Sequence, residues 1–237
     1  PPPPPPPPPP LIFLNAHAGI PDCLLSRGLG DVYKRQGKTT LLRRWRSDDT
    51  LKEAPVIVHD LSEFGLDAEL LADETSPPDQ GRLVGGVAAL HGKHAREELS
   101  SSLGTALEEI YELNPAPSLV LCESTGAALP WPLIKALTQD KRFFLRHFIV
   151  TVDALNLHRD FADGGVLTGD ASKPQDLALC HASEVLAEQI VFANVIILTK
   201  IDIVPKAAVE AQVRALQRLQ PNATIALSAH AGVLLPQ

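Results

Sequence analysis

Two short polar motifs, each fixed to an apolar element, constrain this chain more than any other feature. Gly37-Lys38-Thr39-Thr40 opens a stretch that reads as a short helix to about Arg46, carrying Leu41, Leu42 and Trp45. Thr199-Lys200-Ile201-Asp202 closes the apolar run Val195-Ile196-Ile197-Leu198. A Gly-Lys-Thr at a helix start is the back half of a phosphate-binding loop, where backbone N–H groups and the lysine meet phosphate oxygens. A carboxylate just past a buried strand lies on the C-terminal rim of an open α/β sheet, where ligands bind in such folds.

The segment between and beyond the motifs reads as alternating strand and helix. Short apolar runs predict strands at 55–58, 118–122, 148–152, 195–198 and 223–227. Helices are expected at 98–113, from Leu99, Leu103, Leu107, Ile110 and Tyr111, and at 131–137, 183–192 and 206–219. The last carries Val209, Val213 and Leu216 on one face. Residues 72–84 and 155–175 are rich in Pro, Gly and Asp and read as mobile loops. Alternation with short apolar strands predicts an α/β fold: a three-layer, doubly wound, mainly parallel sheet of the P-loop NTPase type.

Composition narrows the partners. The 237 residues carry a formal charge of −7 and no long basic run, which argues against nucleic acid. No apolar run approaches the roughly 20 residues a bilayer span needs, so no membrane partner is expected. The 3 cysteines, Cys23, Cys122 and Cys180, are scattered and odd in number, which suits a reducing, cytoplasmic compartment. Met is absent even at position 1, which reads as a fragment or a translated read.

The first 36 residues do not match the rest. Residues 1–10 are all proline, a run that forms extended polyproline II and joins no core. Residues 22–36 resemble a peptide that recurs when sequencing-adapter DNA is translated. A phosphate-binding loop reads G-x-x-x-x-G-K-[ST], and the first glycine of that pattern falls on Val32 here. The run Leu11-Ile12-Phe13-Leu14 is strand-like but ends far before Gly37, whereas a βα connection usually takes roughly 2–6 residues. The expectation is a non-native or disordered segment over 1–36, with the first strand and the front of the loop missing, ahead of a nucleotide-binding domain over 37–237. A chain so built is expected to bind nucleotide poorly. A divergent natural loop is the other reading.

Four places carry candidate chemistry. Lys38 can reach β- and γ-phosphates and Thr39 can hold Mg²⁺, with Gly37 and Thr40 offering backbone N–H groups. Glu123, after the run Leu119-Val120-Leu121-Cys122, can order a Mg²⁺-bound water, and Gly126 can offer its N–H to a γ-phosphate. Asp202 can accept two hydrogen bonds from the N1–H and 2-amino group of guanine, a donor pair adenine lacks, while Lys200 lies against the base. Asp60 and Asp67, in Val58-His59-Asp60-Leu61-Ser62-Glu63-Phe64-Gly65-Leu66-Asp67, supply carboxylates where a nucleotide-sensing switch would have them. Plain alternatives stay open for each: a chance tetrapeptide, a strand exit, a surface Lys and Asp, a solvated acidic loop.

Taken together, residues 37–237 resemble the GTPase domain of the CobW-type family, relatives of HypB and UreG. The resemblance is carried by Gly37-Lys38-Thr39-Thr40, Asp60 with Asp67, Glu123-Ser124-Thr125-Gly126, Thr151-Val152-Asp153-Ala154 and the segment from Gln189 to Asp202. Ser228-Ala229 resembles the loop that touches guanine O6 in that family. The resemblance implies GTP and Mg²⁺ as cofactors, with hydrolysis coupled to metal delivery or metallocofactor assembly. It also implies Lys38 and Glu123 as catalytic residues, a metalloprotein client, and room for a homodimer. Thr199 stands where Asn is commoner. The family's G-C-x-C-C motif aligns with Gly86-Val87-Ala88-Ala89-Leu90, so the thiolates that Zn or Co would want are gone. His91 and His94 lie just beyond, at the i, i+3 spacing of a helical pair. Members usually continue into a smaller C-terminal domain, and its absence after Gln237 reads as truncation. Two rivals remain: a degenerate nucleotide-binding interaction module without useful turnover, and a small-molecule kinase, against which the Thr199–Asp202 segment argues.

Overall fold

The computed structural model describes residues 10–16, 38–47, 51–60, 83–84, 86–91, 96–124, 130–157 and 186–229. The chain divides into two compact units. One gathers Pro1–Phe13, Glu53–Cys122 and Trp131–Arg146; the other gathers Leu14–Lys52, Glu123–Pro130 and His147–Gln237. Strand β1 spans Pro10–Ala16 and crosses the boundary between them. This corrects the expectation of a missing first strand: the continuous run Leu11-Ile12-Phe13-Leu14 is apolar enough to be taken up as one.

In the first unit, β2 (Val56–Asp60), β3 (Leu83–Val84), β4 (Val87–His91) and β5 (Val120–Glu123) follow the order β3-β4-β2-β5. β2 and β4 are parallel, with Val56 opposite Val87 and Asp60 opposite His91. The short β3 is antiparallel to β4. Gly86, at φ 78°, makes the turn into β4 in a conformation that side chains disfavour, and its carbonyl accepts the Val56 N–H at 2.8 Å. Two expectations change here. Leu83 and Val84 are a strand rather than part of a loop, and the aligned metal-motif segment is itself the buried strand β4. Two alanines hid it, because Ala has weak strand preference.

Helix α1 (Lys38–Arg46) belongs to the second unit, and α2 (Arg96–Tyr111) to the first. α2 buries Leu103, Ala106, Leu107 and Ile110, an i, i+3, i+4, i+7 stripe. Tyr111, expected on that apolar face, is instead 51% exposed. As the last helical residue its ring stands edge-on to Phe143 at 6.3 Å, with the Arg142 guanidinium 5.1 Å above its face. α3 (Pro130–Gln139) starts on the prolines the sequence marks.

The second unit is built on β6 (Phe144–Asp153, from His147 onward), β7 (Val195–Thr199) and β8 (Thr224–Leu227) in the order β6-β7-β8, all parallel. Residues 186–192 are helical and lead into β7, and α4 (Lys206–Leu219) joins β7 to β8. Every residue of β7 is buried, as expected of a strand with a neighbour on each side. The register places Asp153 opposite Thr199, so both strands deliver their last residues to one rim. The architecture is therefore mixed α/β with a mainly parallel sheet, as the alternation predicted. Among the described residues no helix is long and apolar enough to cross a membrane.

Candidate functional site

The rim at the ends of β6 and β7 is where the structure brings predicted site residues together. Thr199 ends β7 with 6% exposure, and its hydroxyl donates to the Val152 carbonyl at 3.1 Å, tying β7 to β6 beyond the ladder. The backbone repeats that tie: the Ala154 N–H donates to the Thr199 carbonyl at 3.0 Å. Lys200 follows at φ 59° and ψ 30°, the left-handed region that few non-glycine residues occupy. This reversal sends its side chain back to β6, where Nζ lies 2.6 Å from Asp153 Oδ2. A single 3-10 turn, Ile201–Ile203, then presents Asp202 at the surface.

Ser228 closes the rim from β8. Its N–H donates to the Leu198 carbonyl at 2.8 Å, and its own carbonyl accepts the Ile201 N–H at 3.4 Å. Its hydroxyl is fully buried and has no hydrogen-bond partner among the described residues. Ala229 beside it is exposed.

Asp153 and Gln212 were not picked out from the sequence as site residues. The Asp153 carboxylate is buried, and both of its oxygens are hydrogen-bonded. Oδ1 accepts the Leu155 N–H at 2.9 Å, and Oδ2 accepts Asn156 Nδ2 at 2.7 Å as well as Lys200 Nζ. Gln212, on α4, donates Nε2 to the Ala154 carbonyl at 2.8 Å and so holds the turn after β6 from the other side. The signal for Asp153 was present: an aspartate directly after a buried strand on the rim that binds ligands. Nothing local marks Gln212.

The remaining predicted residues are placed singly. Lys38 starts α1 and is 7% exposed. A lysine is rarely so buried, and the positive end of a helix dipole repels it further, so its setting suits an anion such as phosphate. Thr39 and Thr40 follow in α1, with Thr40 exposed. Glu123 ends β5 as a buried carboxylate, a hard oxygen donor of the kind Mg²⁺ takes. Asp60 ends β2. Gly37, Asp67 and Gly126, and the side chains of Thr39 and Asp60, lie outside the described residues. So do Val32, the position that breaks the glycine pattern, and Cys180.

Transition-metal chemistry finds no support in the aligned segment. Val87, Ala88, Ala89 and Leu90 are apolar and buried in β4, so none can serve as a ligand. His91 closes that strand rather than sitting on a helix, so the helical i, i+3 geometry does not apply; His94 lies outside the described residues. Among the described residues no group of three His, Cys, Asp or Glu is disposed to hold a metal ion.

The family described as CobW/HypB/UreG, nucleotide-binding domain, matches residues 35–226. Zn(II)-bound YjiA GTPase from E. coli is similar in structure at 20% identity and a TM-score of 0.52, covering 92% of this chain and 57% of that one. A Zn(II)-bound triple mutant of YjiA GTPase gives 21% identity and a TM-score of 0.54, covering 93% and 57%. The hydrogenase maturation factor HypB from Archaeoglobus fulgidus gives 15% identity and a TM-score of 0.48, covering 92% and 81%. The chain thus spans little more than half the length of the YjiA chains, and the likeness to them is one of fold.

Proposed function

This chain belongs to the CobW/HypB/UreG nucleotide-binding family, and from that membership we propose that it binds GTP with Mg²⁺ and hydrolyses it in the service of metal delivery or metallocofactor assembly. The observation that carries the guanine reading is the turn after β7, where Lys200 is folded back onto Asp153 and Asp202 is presented at the rim. Asp202 accepts the N1–H and 2-amino protons of guanine. Lys200 lies along the base, Thr199 fixes the strand end, and Ser228 and Ala229 face O6. Lys38 neutralises the β- and γ-phosphates, while the backbone N–H groups of Gly37, Thr40 and Gly126 cradle their oxygens.

Hydrolysis adds water to the γ-phosphorus and breaks its bond to the β–γ bridging oxygen, releasing GDP, phosphate and a proton. The work of the protein is positioning and charge stabilisation. Thr39, Asp60, Asp67 and Glu123 are the oxygen-bearing side chains that the family resemblance assigns to Mg²⁺ and its waters. When bound, the ion would offset negative charge on the β- and γ-phosphates. No transition-metal step is assigned to this chain, because Val87 to Leu90, which stand where the family's thiolates would be, offer no ligands. The Zn(II) of the YjiA structures belongs to those proteins; a metal served by this chain would be cargo held elsewhere or by a client.

The loss of the thiolate segment favours one rival, a nucleotide-binding interaction module without turnover. Phosphate release measured with GTP and Mg²⁺ separates the two. Binding is tested by titrating GTP and ATP into the chain, its Asp202→Ala variant, and a version in which residues 17–36 supply Gly-x-x-Gly-x before Gly37. GTP preference of about a hundredfold is expected, lost in Asp202→Ala. The glycine loop is expected to tighten GTP at least about tenfold by restoring phosphate contacts. Equal affinity for GTP and ATP in all three would defeat the guanine reading.

A further inference from the structure

We propose that Asp153 is a positioning residue for base recognition, pinning the Lys200 ammonium so that the lysine stem, not its charge, is what a planar base meets. The inference rests on the guanine reading above and adds a residue and a division of labour to it.

Three observations carry it. First, the ammonium of Lys200, a side chain with 30% exposure overall, lies 2.6 Å from a carboxylate with only 3%, so the charge is held against a buried partner rather than left to solvent. Amphipathic side chains normally do the reverse, burying the stem and exposing the charge. Second, Lys200 accepts a left-handed backbone to make this contact, a conformation that an ordinary solvated lysine has no cause to adopt. Third, the pair is not needed to join the strands. The Thr199 hydroxyl, the Ala154 N–H and the β6–β7 ladder already tie these ends together. Gln212 holds the turn beyond them.

The carboxylate is itself immobilised, taking the Leu155 N–H and the Asn156 amide before it takes the lysine. A cation held there cannot swing toward a phosphate. Its contribution to affinity is therefore independent of how many phosphates the ligand carries, whereas the contribution of Lys38 grows with that number.

The test uses the full chain with GTP, GDP and GMP as probes, titrated into the parent, Asp153→Asn, Lys200→Met and the double variant. Asp153→Asn keeps an acceptor for the Leu155 N–H and removes the charge that holds Lys200. It is expected to weaken all three nucleotides by the same factor, about tenfold. Lys200→Met keeps a long stem with no ammonium to restrain, so adding Asp153→Asn to it is expected to change affinity less than about twofold. A merely structural role for Asp153 would cost as much in the Lys200→Met background as in the parent, and that result overturns the proposal. So does an Asp153→Asn protein that binds like the parent, or one whose loss grows with phosphate number. Failure of all three nucleotides to bind both the parent and the version carrying Gly-x-x-Gly-x before Gly37 defeats the guanine reading itself, and this proposal with it; where only that version binds, the same substitutions are compared in it.

Discussion

Replacing Thr199 by Val is the sharpest way to ask whether the rim is held together as described. The change keeps a β-branched side chain of nearly the same volume at a strand end that is 6% exposed, and removes one donor. The bond lost is the 3.1 Å hydroxyl contact to the Val152 carbonyl. A buried hydrogen bond contributes about 1 kcal/mol net, and a carbonyl left short of a partner adds up to about 1–2 kcal/mol more. The methyl that replaces the hydroxyl returns part of this through its own burial. The expected net loss is about 1–2 kcal/mol, which for a chain of this size lowers Tm by about 2–8 °C. Thermal unfolding followed by circular dichroism at pH 7 measures it, and urea unfolding should show a lower midpoint with an unchanged slope. GTP affinity should fall as well, because Lys200 begins its reversal from this residue. A Thr199→Val protein as stable as the parent, or more stable, would show that the hydroxyl contributes nothing. The β6–β7 rim would then rest on its backbone hydrogen bonds and the Lys200–Asp153 pair.

Two further outcomes follow from groups away from the rim. The Cys122 thiol is buried in β5, and burial pushes it up to about 12 from 9.0, so native protein should resist iodoacetamide at pH 8 at this position while unfolded protein is labelled, as peptide mapping would show. Because the folded thiol stays neutral while the unfolded one ionises, its contribution is complete below pH 9.0 and declines as the pH climbs toward about 12. The guanidinium of Arg142, bonded to Asp140 at 2.8 and 3.0 Å, holds that carboxyl below its ordinary 3.8 against a smaller opposing effect of burial. The stability this supplies is fully present above pH 3.8 and is lost as the pH falls below it. Arg142→Gln should therefore lower stability at pH 6 by about 1 kcal/mol or less and have less effect at pH 2, measured by denaturant unfolding at each pH.

The fold was legible wherever a run of branched apolar residues was unbroken. β7 reads directly as Val195 to Leu198, and α4 runs over the residues its apolar face marks. Two elements were harder to see for identifiable reasons. β4 contains Ala88 and Ala89, which carry little strand preference and owe their burial to the neighbours β2 and β3. β6 is twice as long as its apolar core because its first residues, Phe144 to His147, alternate between exposed and half-buried and include Arg146 and His147. Such residues look like loop until a pairing strand is known. Tyr111 misled in the opposite direction: its spacing matched the buried stripe, but the helix ends there and Arg142 covers its face.

The candidate site is written in the sequence as motifs, while its couplings are not. Thr199, Lys200 and Asp202 announce themselves as a strand-end tetrapeptide, and local sequence is enough to say that such a turn faces the rim. What Lys200 does there depends on a residue 47 positions earlier, brought opposite by the β6–β7 register. The same register aims the Thr199 hydroxyl at Val152, and α4 must pack beside both strands before Gln212 can reach Ala154. A slip of one residue in that pairing would turn Asp153 to the opposite face and leave Lys200 with no partner. If the rim binds guanine as proposed, its selectivity rests on strand register as well as on the motif itself. That is why Asp153, which lies outside the tetrapeptide, is expected to matter for base binding at all: about tenfold in Asp153→Asn, against the roughly hundredfold preference lost in Asp202→Ala.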